Sequence, residues 1–303
     1  LREGRAVGVE VLRGGAREHV TARREVILCA GAVASPQLLM LSGVGAADDL
    51  RPLGIAVVAD LPGVGRNLQD HPAVAVGFRV TGRVPRARAA RLRDFLTWLV
   101  WGAGPLSSNL VEAGGFVRTR PTVPLPNLQL YFIPTGGLCP DADDGSGHAF
   151  TIESTLLTPA SRGAVRLRSA DPLEPPAIAA GYLDAPEDLA VLVEGVKLAR
   201  RIAGGRAFDG LRGAETRPGS EVRTDEEIAA YVRAGLQTGH HQVGTCRMGY
   251  DLLAVVDARF RVLGVDGLRV VDASIMPIIT RGDTTAPTIM LAERGADFVR
   301  ERA

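Results

Sequence analysis

Apolar residues in the first part of the chain recur with periods that predict strands and helices in alternation. Residues 5–12 and 19–29 alternate or run apolar and β-branched around two adjacent glycines, which predicts a strand, a turn and a second strand. The second strand ends at residues 30–31, and a leucine-rich run from 35 to 41, opened by Ser-Pro, predicts a helix. This strand–turn–helix order is typical of an α/β fold.

The middle of the chain is rich in separate β-type segments. Their uneven spacing predicts an antiparallel sheet, with strands at 74–80, 128–133, 150–157 and 163–169. We expect the last two strands to form a hairpin-like pair. Residues 86–101 carry leucine, phenylalanine and tryptophan at helical spacing, which favours a core-facing helix over a cofactor-binding segment.

The remaining predicted elements are mostly helical. The pattern at 186–203 is the clearest, because Pro186 begins it, acidic residues occupy its first turn, and basic residues occupy its last. A shorter helix is predicted from about 225 to 234, capped by Thr224. A strand at 268–273 and a final helix at 287–302 complete the chain.

Composition places the chain among globular proteins. With 303 residues, 46% of them hydrophobic, it is long enough to bury a full core and to divide into two domains. The net charge of +1 gives no field that would attract nucleic acid or an anionic membrane. The sequence has no apolar run of about 18 residues, so we predict no integral membrane segment.

Cysteine usage argues against a disulfide framework. Cys29, Cys139 and Cys246 are far apart and odd in number. This usage is typical of a reducing compartment, and we expect a cytoplasmic protein.

The turn between the second strand and its helix is a candidate ligand site. Gly31 lets the backbone approach a ligand closely, and the N-terminus of the following helix favours phosphate or another anion. An ordinary turn between a strand and a helix is the alternative.

The string HHQVGTCRMG at 240–249 holds a candidate base, since histidine can take a proton near neutral pH. Zinc ligation by His240, His241 and Cys246 is disfavoured, because adjacent histidines seldom bind one ion and no CxxC or HExxH partner occurs. We therefore predict no metal site. A buried structural histidine is the default when these residues are considered alone.

Two further motifs lie near the end of the chain. Asp272 ends a predicted strand, and the carboxyl end of a strand is where open α/β sheets bind cofactors; a turn-capping aspartate is the alternative. Thr284, Thr285 and Pro287 predict a threonine-capped helix start, where the helix dipole favours negative charge.

Together these motifs resemble the GMC (glucose–methanol–choline) oxidoreductase family, and the resemblance covers nearly the whole chain. It rests on GAVASPQLLMLSGVG at 31–45, VGTCRMG at 243–249, LRVVDASIMP at 268–277 and the GDTTAPT helix start at 282–288. The resemblance implies an FAD-dependent enzyme that oxidises an alcohol to an aldehyde or ketone. It makes His241 the general base on the substrate hydroxyl while hydride passes to flavin N5, and His240 structural.

The same resemblance assigns the remaining site residues. Asp283 would be the second catalytic residue, positioning the alcohol or His241. Asn109 and Glu112 would face the substrate, although a solvated or capping carboxylate is an equal alternative for Glu112. The implied FAD contacts are Ala30, Gly31, Asn67, Asp272, Ala273, Thr284 and Thr285.

The string NLQDH at 67–71 matches a family segment that bridges two domains. Asp70 and His71 are interpreted as architecture and not as an acid–base pair, because adjacent residues in a strand point apart.

The chain departs from the family pattern at three positions. Asp283 stands where the family has Asn or His, Thr285 replaces a second Asn, and Gln242 replaces a proline. An aspartate at 283 can pair with protonated His241, but it also adds negative charge near reduced flavin.

The expected fold class is α/β, or α+β overall. Residues 1–72 and 233–303 are expected to form a partial, Rossmann-like FAD-binding domain, and 73–232 a substrate-binding domain with an antiparallel sheet backed by helices. No strand leads into GxGxxG at the start of the chain. We therefore expect the family's ADP-binding unit upstream, and we expect the isolated chain to bind FAD poorly and to be inactive.

Two other functional classes stay open: an FAD-containing enzyme similar to hydroxynitrile lyases, and a non-catalytic fragment. The expected partners are a small-molecule alcohol and an electron acceptor, with oxygen, a quinone and a carrier protein as alternatives. Nucleic acid is not expected as a partner.

Overall fold

The computed structural model describes residues 1–81, 92–134 and 149–301. The chain divides into two compact units, each assembled from segments that are distant in the sequence. Unit 1 comprises Leu1–Asp70, Ser161–Asp184 and His240–Ala303, and unit 2 comprises His71–Ala160 and Ala185–Gly239.

Helices and strands are mixed along the chain, which confirms the predicted fold class. The strands are β1 (Gly8–Arg13), β2 (Ala16–Thr21), β3 (Val26–Leu28), β4 (Val44–Gly45), β5 (Ala59–Asp60), β6 (Pro72–Val80), β7 (Ala113–Val117), β8 (Leu128–Ile133), β9 (Ala149–Leu156), β10 (Ala164–Arg166), β11 (Ala177–Ala179), β12 (Arg212–Arg217), β13 (Gln237–Thr238) and β14 (Leu268–Val270). The helices are α1 (Gly31–Leu41), α2 (Ala47–Leu50), α3 (Leu92–Trp101), α4 (Pro186–Ala203), α5 (Asp225–Gly235) and α6 (Thr285–Arg300).

Unit 1 contains several short strand pairs, of which the β1–β2 hairpin is mostly exposed. β1 and β2 form the predicted antiparallel hairpin, while β3 pairs in parallel with β14, so that Val26 lies opposite Leu268. The apolar side chains of α1, β14 and α6 share one core, in which Leu39 is 1% exposed and Val270 is fully buried. The parallel pair places the turn after β3 beside the turn after β14.

Helix α1 begins at Gly31, earlier than the predicted start at residue 35, so that Pro36 lies inside the helix. A proline has no N–H to donate to the carbonyl four residues earlier, which here belongs to Ala32. The hydroxyl of Thr245 donates to this Ala32 carbonyl at 2.6 Å in a buried position. A side chain from the VGTCRMG segment therefore supplies the hydrogen bond that Pro36 cannot make.

A buried ion pair links Arg269 of β14 to Glu25, the residue before β3. Arg269 is fully buried, and its Nε donates to Glu25 Oε2 at 2.8 Å. Its Nη1 donates to the carbonyl of Arg259 at 2.5 Å. A buried guanidinium needs such partners, because its removal from water is costly.

Unit 2 is a six-stranded antiparallel sheet in the order β12-β6-β9-β8-β7, with β13 also beside β6. Helix α4 packs on one face of the sheet, and α5 packs on α4. Gly195 permits this close packing, since a Cβ added there would lie 2.8 Å from the Cβ of Ser154. The predicted antiparallel sheet backed by helices is confirmed.

The two best-marked helices also match their predicted ends. α4 begins at Pro186 and ends before Gly204, as expected. α5 begins with a capping box, in which Thr224 accepts from the N–H of Glu227 at 3.2 Å and the Glu227 carboxylate accepts from the N–H of Thr224 at 2.9 Å.

The predicted hairpin between 150–157 and 163–169 is wrong. β9 pairs with β6 and β8, whereas β10 pairs with β11. Residues 161–184 belong to unit 1 because their backbone bonds there, with Val165 N–H donating to Gly65 O at 2.7 Å and Leu68 N–H donating to Gly163 O at 3.0 Å. We expected this segment to lie in the substrate-binding domain at 73–232. The FAD-binding and substrate-binding roles of the three predicted domain segments stay predictions.

The prediction of a core-facing helix at 86–101 is also wrong for the part that the structure describes, since 86–91 lie outside it. α3 forms, but none of its side chains is buried, and Leu92 and Trp101 are 74% and 73% exposed. Its principal contact is with the following 3-10 turn, Pro105–Ser107. Helical periodicity predicted the helix but not whether another layer covers it.

A membrane-spanning helix needs a long, uninterrupted apolar stretch, and no helix within the described residues contains one.

Candidate active site

The structure brings His241 and Asp283 together in unit 1. His241 Nε2 lies 3.5 Å from Asp283 Oδ1. The His241 side chain is 16% exposed and that of Asp283 is 56% exposed. The imidazole is therefore mostly shielded from water, whereas the carboxylate beside it is open to water.

Asp70 fixes the backbone that carries His241. Its Oδ1 accepts the N–H of His241 at 2.8 Å, and its Oδ2 accepts from Gln242 Nε2 at 3.1 Å and from the Tyr182 hydroxyl at 2.5 Å. Asp70 is only 5% exposed, so these charge-assisted bonds are shielded from solvent. The architectural interpretation of Asp70 agrees with these contacts, but the direct link to His241 was not predicted.

Asn67 ties the NLQDH string to the segment after His241. Its Nδ2 donates to Gly244 O at 3.1 Å and to Pro277 O at 3.3 Å. Gly244 has φ +95°, and a Cβ there would lie 2.5 Å from the carbonyl oxygen of Asn67. No other residue type fits at Gly244, and the amide of Asn67 is engaged within the protein.

Asp272 organises the turn before α1. Its Oδ2 accepts from the N–H of Gly31 at 2.9 Å and from Ser35 Oγ at 2.5 Å, and its Oδ1 accepts from the N–H of Ser274 at 2.8 Å. These contacts are those of the turn-capping alternative. A cofactor contact by Asp272 or by the half-buried Ala273 stays a prediction.

The start of α6 lies directly after Asp283. The helix begins at Thr285, not Pro287, and the expected threonine cap is wrong, because the Thr284 side chain makes no capping hydrogen bond. The first turn carries no acidic residue. The backbone N–H groups at the start of this 16-residue helix therefore carry a partial positive charge, about half an elementary charge, that no acidic side chain of the first turn offsets.

His240 differs from its neighbour in both backbone and exposure. It has φ +60° and is exposed, whereas His241 is half-buried. Among the described residues, no group of three or more His, Cys, Asp or Glu side chains is arranged to hold a metal ion.

The two described cysteines, Cys29 and Cys246, are free thiols, and Cys139 lies outside the described residues. Cys246 is fully buried, and this burial strongly raises the pKa of its thiol. Partial burial, with the nearby Asp272 carboxylate, raises the pKa of the Cys29 thiol. Neither thiol is a ready nucleophile.

Asn109 and Glu112 lie in unit 2 and are both exposed. The Glu112 carboxylate accepts from Ser108 Oγ at 2.8 Å. Their assignment to the substrate stays a prediction.

Family comparison agrees with the motifs. Two profiles described as GMC oxidoreductase match residues 1–73 and 159–292, which together cover most of the chain. The chain belongs to the GMC oxidoreductase family. The GMC profiles thus include the NLQDH string, His241 and Asp283 within their matched ranges.

Individual relatives point the same way. An oxygen-dependent choline dehydrogenase from Burkholderia thailandensis is 45% identical over 302 residues, covering 98% of this chain and 54% of the relative. Pyridoxine 4-oxidase from Mesorbium loti superimposes with a TM-score of 0.85 at 29% identity, over 99% of this chain and 56% of that one. A formate oxidase structure from Aspergillus oryzae that concerns FAD modification gives a TM-score of 0.90 at 27% identity, over 100% and 59%.

The chain therefore spans about half the length of the curated relatives it matches. The family is therefore established for this chain, and the activity of the whole protein is proposed below.

Two features of unit 1 fit a flavin nucleotide. Gly31 has φ +81°, and a Cβ built there would meet no atom within 4 Å, so open space lies against the backbone where α1 begins. The uncapped amide end of α6 suits the negative charge of a reduced flavin or a phosphate. Flavin contacts by Ala30, Gly31, Asn67, Thr284 and Thr285 stay predictions, as do those by Asp272 and Ala273.

Proposed function

We propose that this chain is part of an FAD-dependent oxidoreductase that acts on CH–OH groups and converts an alcohol to an aldehyde or ketone. The observation that carries the proposal is the convergence of the His241 imidazole and the Asp283 carboxylate, at 3.5 Å, immediately before α6. Membership of the GMC family supports it.

His241 is the residue that takes the hydroxyl proton. A neutral imidazole accepts a proton on the ring nitrogen that carries none, and the backbone of His241 is held in place by Asp70. FAD, when bound, supplies the hydride acceptor for the carbinol carbon. Asp283 then lies beside the positive charge that forms on the imidazole, and it orients either the ring or the alcohol.

The start of α6 supplies electrostatic stabilisation. Its partial positive charge offsets negative charge that develops on the flavin side of the reaction. The negative charge of Asp283 counteracts the positive charge of the helix start. Because the Asp283 side chain is mostly exposed, water screens much of this counteracting charge.

The substrate is proposed to be a small alcohol, and choline is the first to test, because the relatives at 45% identity are named for it. Oxygen is the first electron acceptor to test for the same reason, ahead of a quinone or a carrier protein. The free thiols of Cys29 and Cys246 support a proposed cytoplasmic location.

The proposal is tested on the whole, flavin-loaded protein of which this chain is part, by adding choline and a series of other small alcohols without oxygen and recording flavin absorbance. The expected result is bleaching by at least one alcohol, with one equivalent of carbonyl product. Cleavage of a cyanohydrin with the flavin remaining oxidised would instead indicate a lyase. Failure of every alcohol to bleach the flavin would contradict the proposal and favour the non-catalytic alternative.

A further inference from the structure

Unit 2 contains a cavity that none of the site residues lines. Its volume is about 500 Å³, within the range of small-molecule pockets. It is bounded by the edge of the sheet and by the end of α4 with the turn that follows. The lining residues are Ala113, Gly114, Gly115, Leu130, Tyr131, Phe132, Ile152, Ile202 and Phe208.

The lining is almost entirely apolar. Tyr131 has the one polar side chain among the nine residues, and none of the nine is charged. A charged ligand would lose its hydration there without gaining a partner, which is costly. The lining therefore selects for uncharged, apolar molecules.

Gly115 keeps part of this space open. It pairs with Leu130 across β7 and β8, and directly paired residues point to the same face of a sheet. A Cβ built at Gly115 would meet no atom within 4 Å, whereas one at Gly114 would lie 2.6 Å from the carbonyl oxygen of Leu130. A side chain at position 115 would thus extend into empty volume beside Leu130.

Two lining residues, Phe132 and Phe208, pack against each other and against Phe150. The ring of Phe208 lies 5.2 Å from that of Phe150 and 5.9 Å from that of Phe132, centroid to centroid. Phe132 and Phe150 are 5.5 Å apart. Such mutual packing holds the rings in position, so a ligand pays little to organise them.

We propose that this cavity binds an uncharged alkyl or aryl small molecule. An apolar alcohol and an apolar compound without a hydroxyl share this chemistry, since the same lining recognises both. Binding needs no flavin and no proton transfer, so this inference stands whether or not the proposed activity is found.

The test is a titration of the protein with N-phenyl-1-naphthylamine, a neutral apolar dye whose fluorescence rises in apolar surroundings. We expect saturable binding to one site. Gly115→Val, which fills the cavity with a strand-compatible side chain, should weaken binding at least tenfold, and Gly115→Ala should weaken it less. Phe116→Val is the matched control, because the neighbouring residue points to the other face of β7 and should leave the dye affinity within twofold.

Circular dichroism of each variant confirms that it is folded. If folded Gly115→Val binds the dye as tightly as the unchanged protein, the dye sits elsewhere, for example on the exposed face of α3, and the proposal is overturned. Competition identifies the source of the ligand. An alcohol that displaces the dye places its apolar part in the cavity, whereas retention of the dye in the presence of every alcohol that bleaches the flavin indicates a separate ligand.

Discussion

The hydrogen bond from Thr245 to the Ala32 carbonyl gives a direct test of how the two GMC motifs support each other. Thr245→Val keeps the shape of the side chain and removes its hydroxyl. The Ala32 carbonyl then loses the 2.6 Å bond that stands in for the missing N–H of Pro36. Because Ala32 is only 5% exposed, water cannot readily replace that bond.

The expected loss is that of a buried acceptor left without a partner, about 1–3 kcal/mol of unfolding free energy. Thr288→Val is the matched control. Its hydroxyl also donates to a helical carbonyl, that of Thr284, at 2.7 Å, but this carbonyl keeps the backbone N–H of Thr288 at 3.0 Å. The control should therefore cost about 1 kcal/mol or less.

A double-mutant cycle isolates the mechanism. Pro36→Ala returns an N–H that can bond to the Ala32 carbonyl, so Thr245→Val should be less costly in that background by about 1–2 kcal/mol. Urea unfolding followed by circular dichroism gives all four free energies. If the two substitutions are additive within about 0.5 kcal/mol, the carbonyl does not couple the motifs and the reasoning is refuted.

Two further outcomes follow from buried groups in unit 1. Glu25→Ala leaves the fully buried Arg269 without its ion pair and should lower the free energy of unfolding, measured in urea, by about 3–5 kcal/mol. Glu10→Ala removes a pair with Arg17 in which the side chains are 52% and 70% exposed, and it should cost less than about 1 kcal/mol. Equal losses would contradict the burial argument. Because burial strongly raises the pKa of the Cys246 thiol, iodoacetamide at mildly alkaline pH should label Cys29 well before Cys246 in the folded protein, and equal labelling by mass spectrometry would show that Cys246 is not buried.

Elements with local signals were predicted well. α4 carries its proline start, charged ends and terminal glycine in one continuous stretch, and α5 carries its capping box within four residues. Such signals act through neighbouring backbone groups, so they do not depend on the rest of the fold.

Features set by distant contacts were not predicted from residue patterns. β10 is placed by its pairing with β11 and by a backbone bond to the distant Gly65, and the exposure of α3 depends on whether another layer covers it. The Asp272 carboxylate bonds to Gly31, which is 241 positions away in the sequence. The pairing of His241 with Asp283 was expected only through family resemblance, since no short-range pattern links them.

The central claim is that His241 takes the substrate proton. The rate of anaerobic flavin reduction by an alcohol, measured on the whole, flavin-loaded protein of which this chain is part, tests it most directly. His241→Gln should slow reduction about 10²–10⁴-fold at saturating alcohol, because a positioned general base contributes that much. His240→Asn, at the exposed neighbouring position, should leave the rate nearly unchanged. Equal rates for His241→Gln and the unchanged protein would contradict the account.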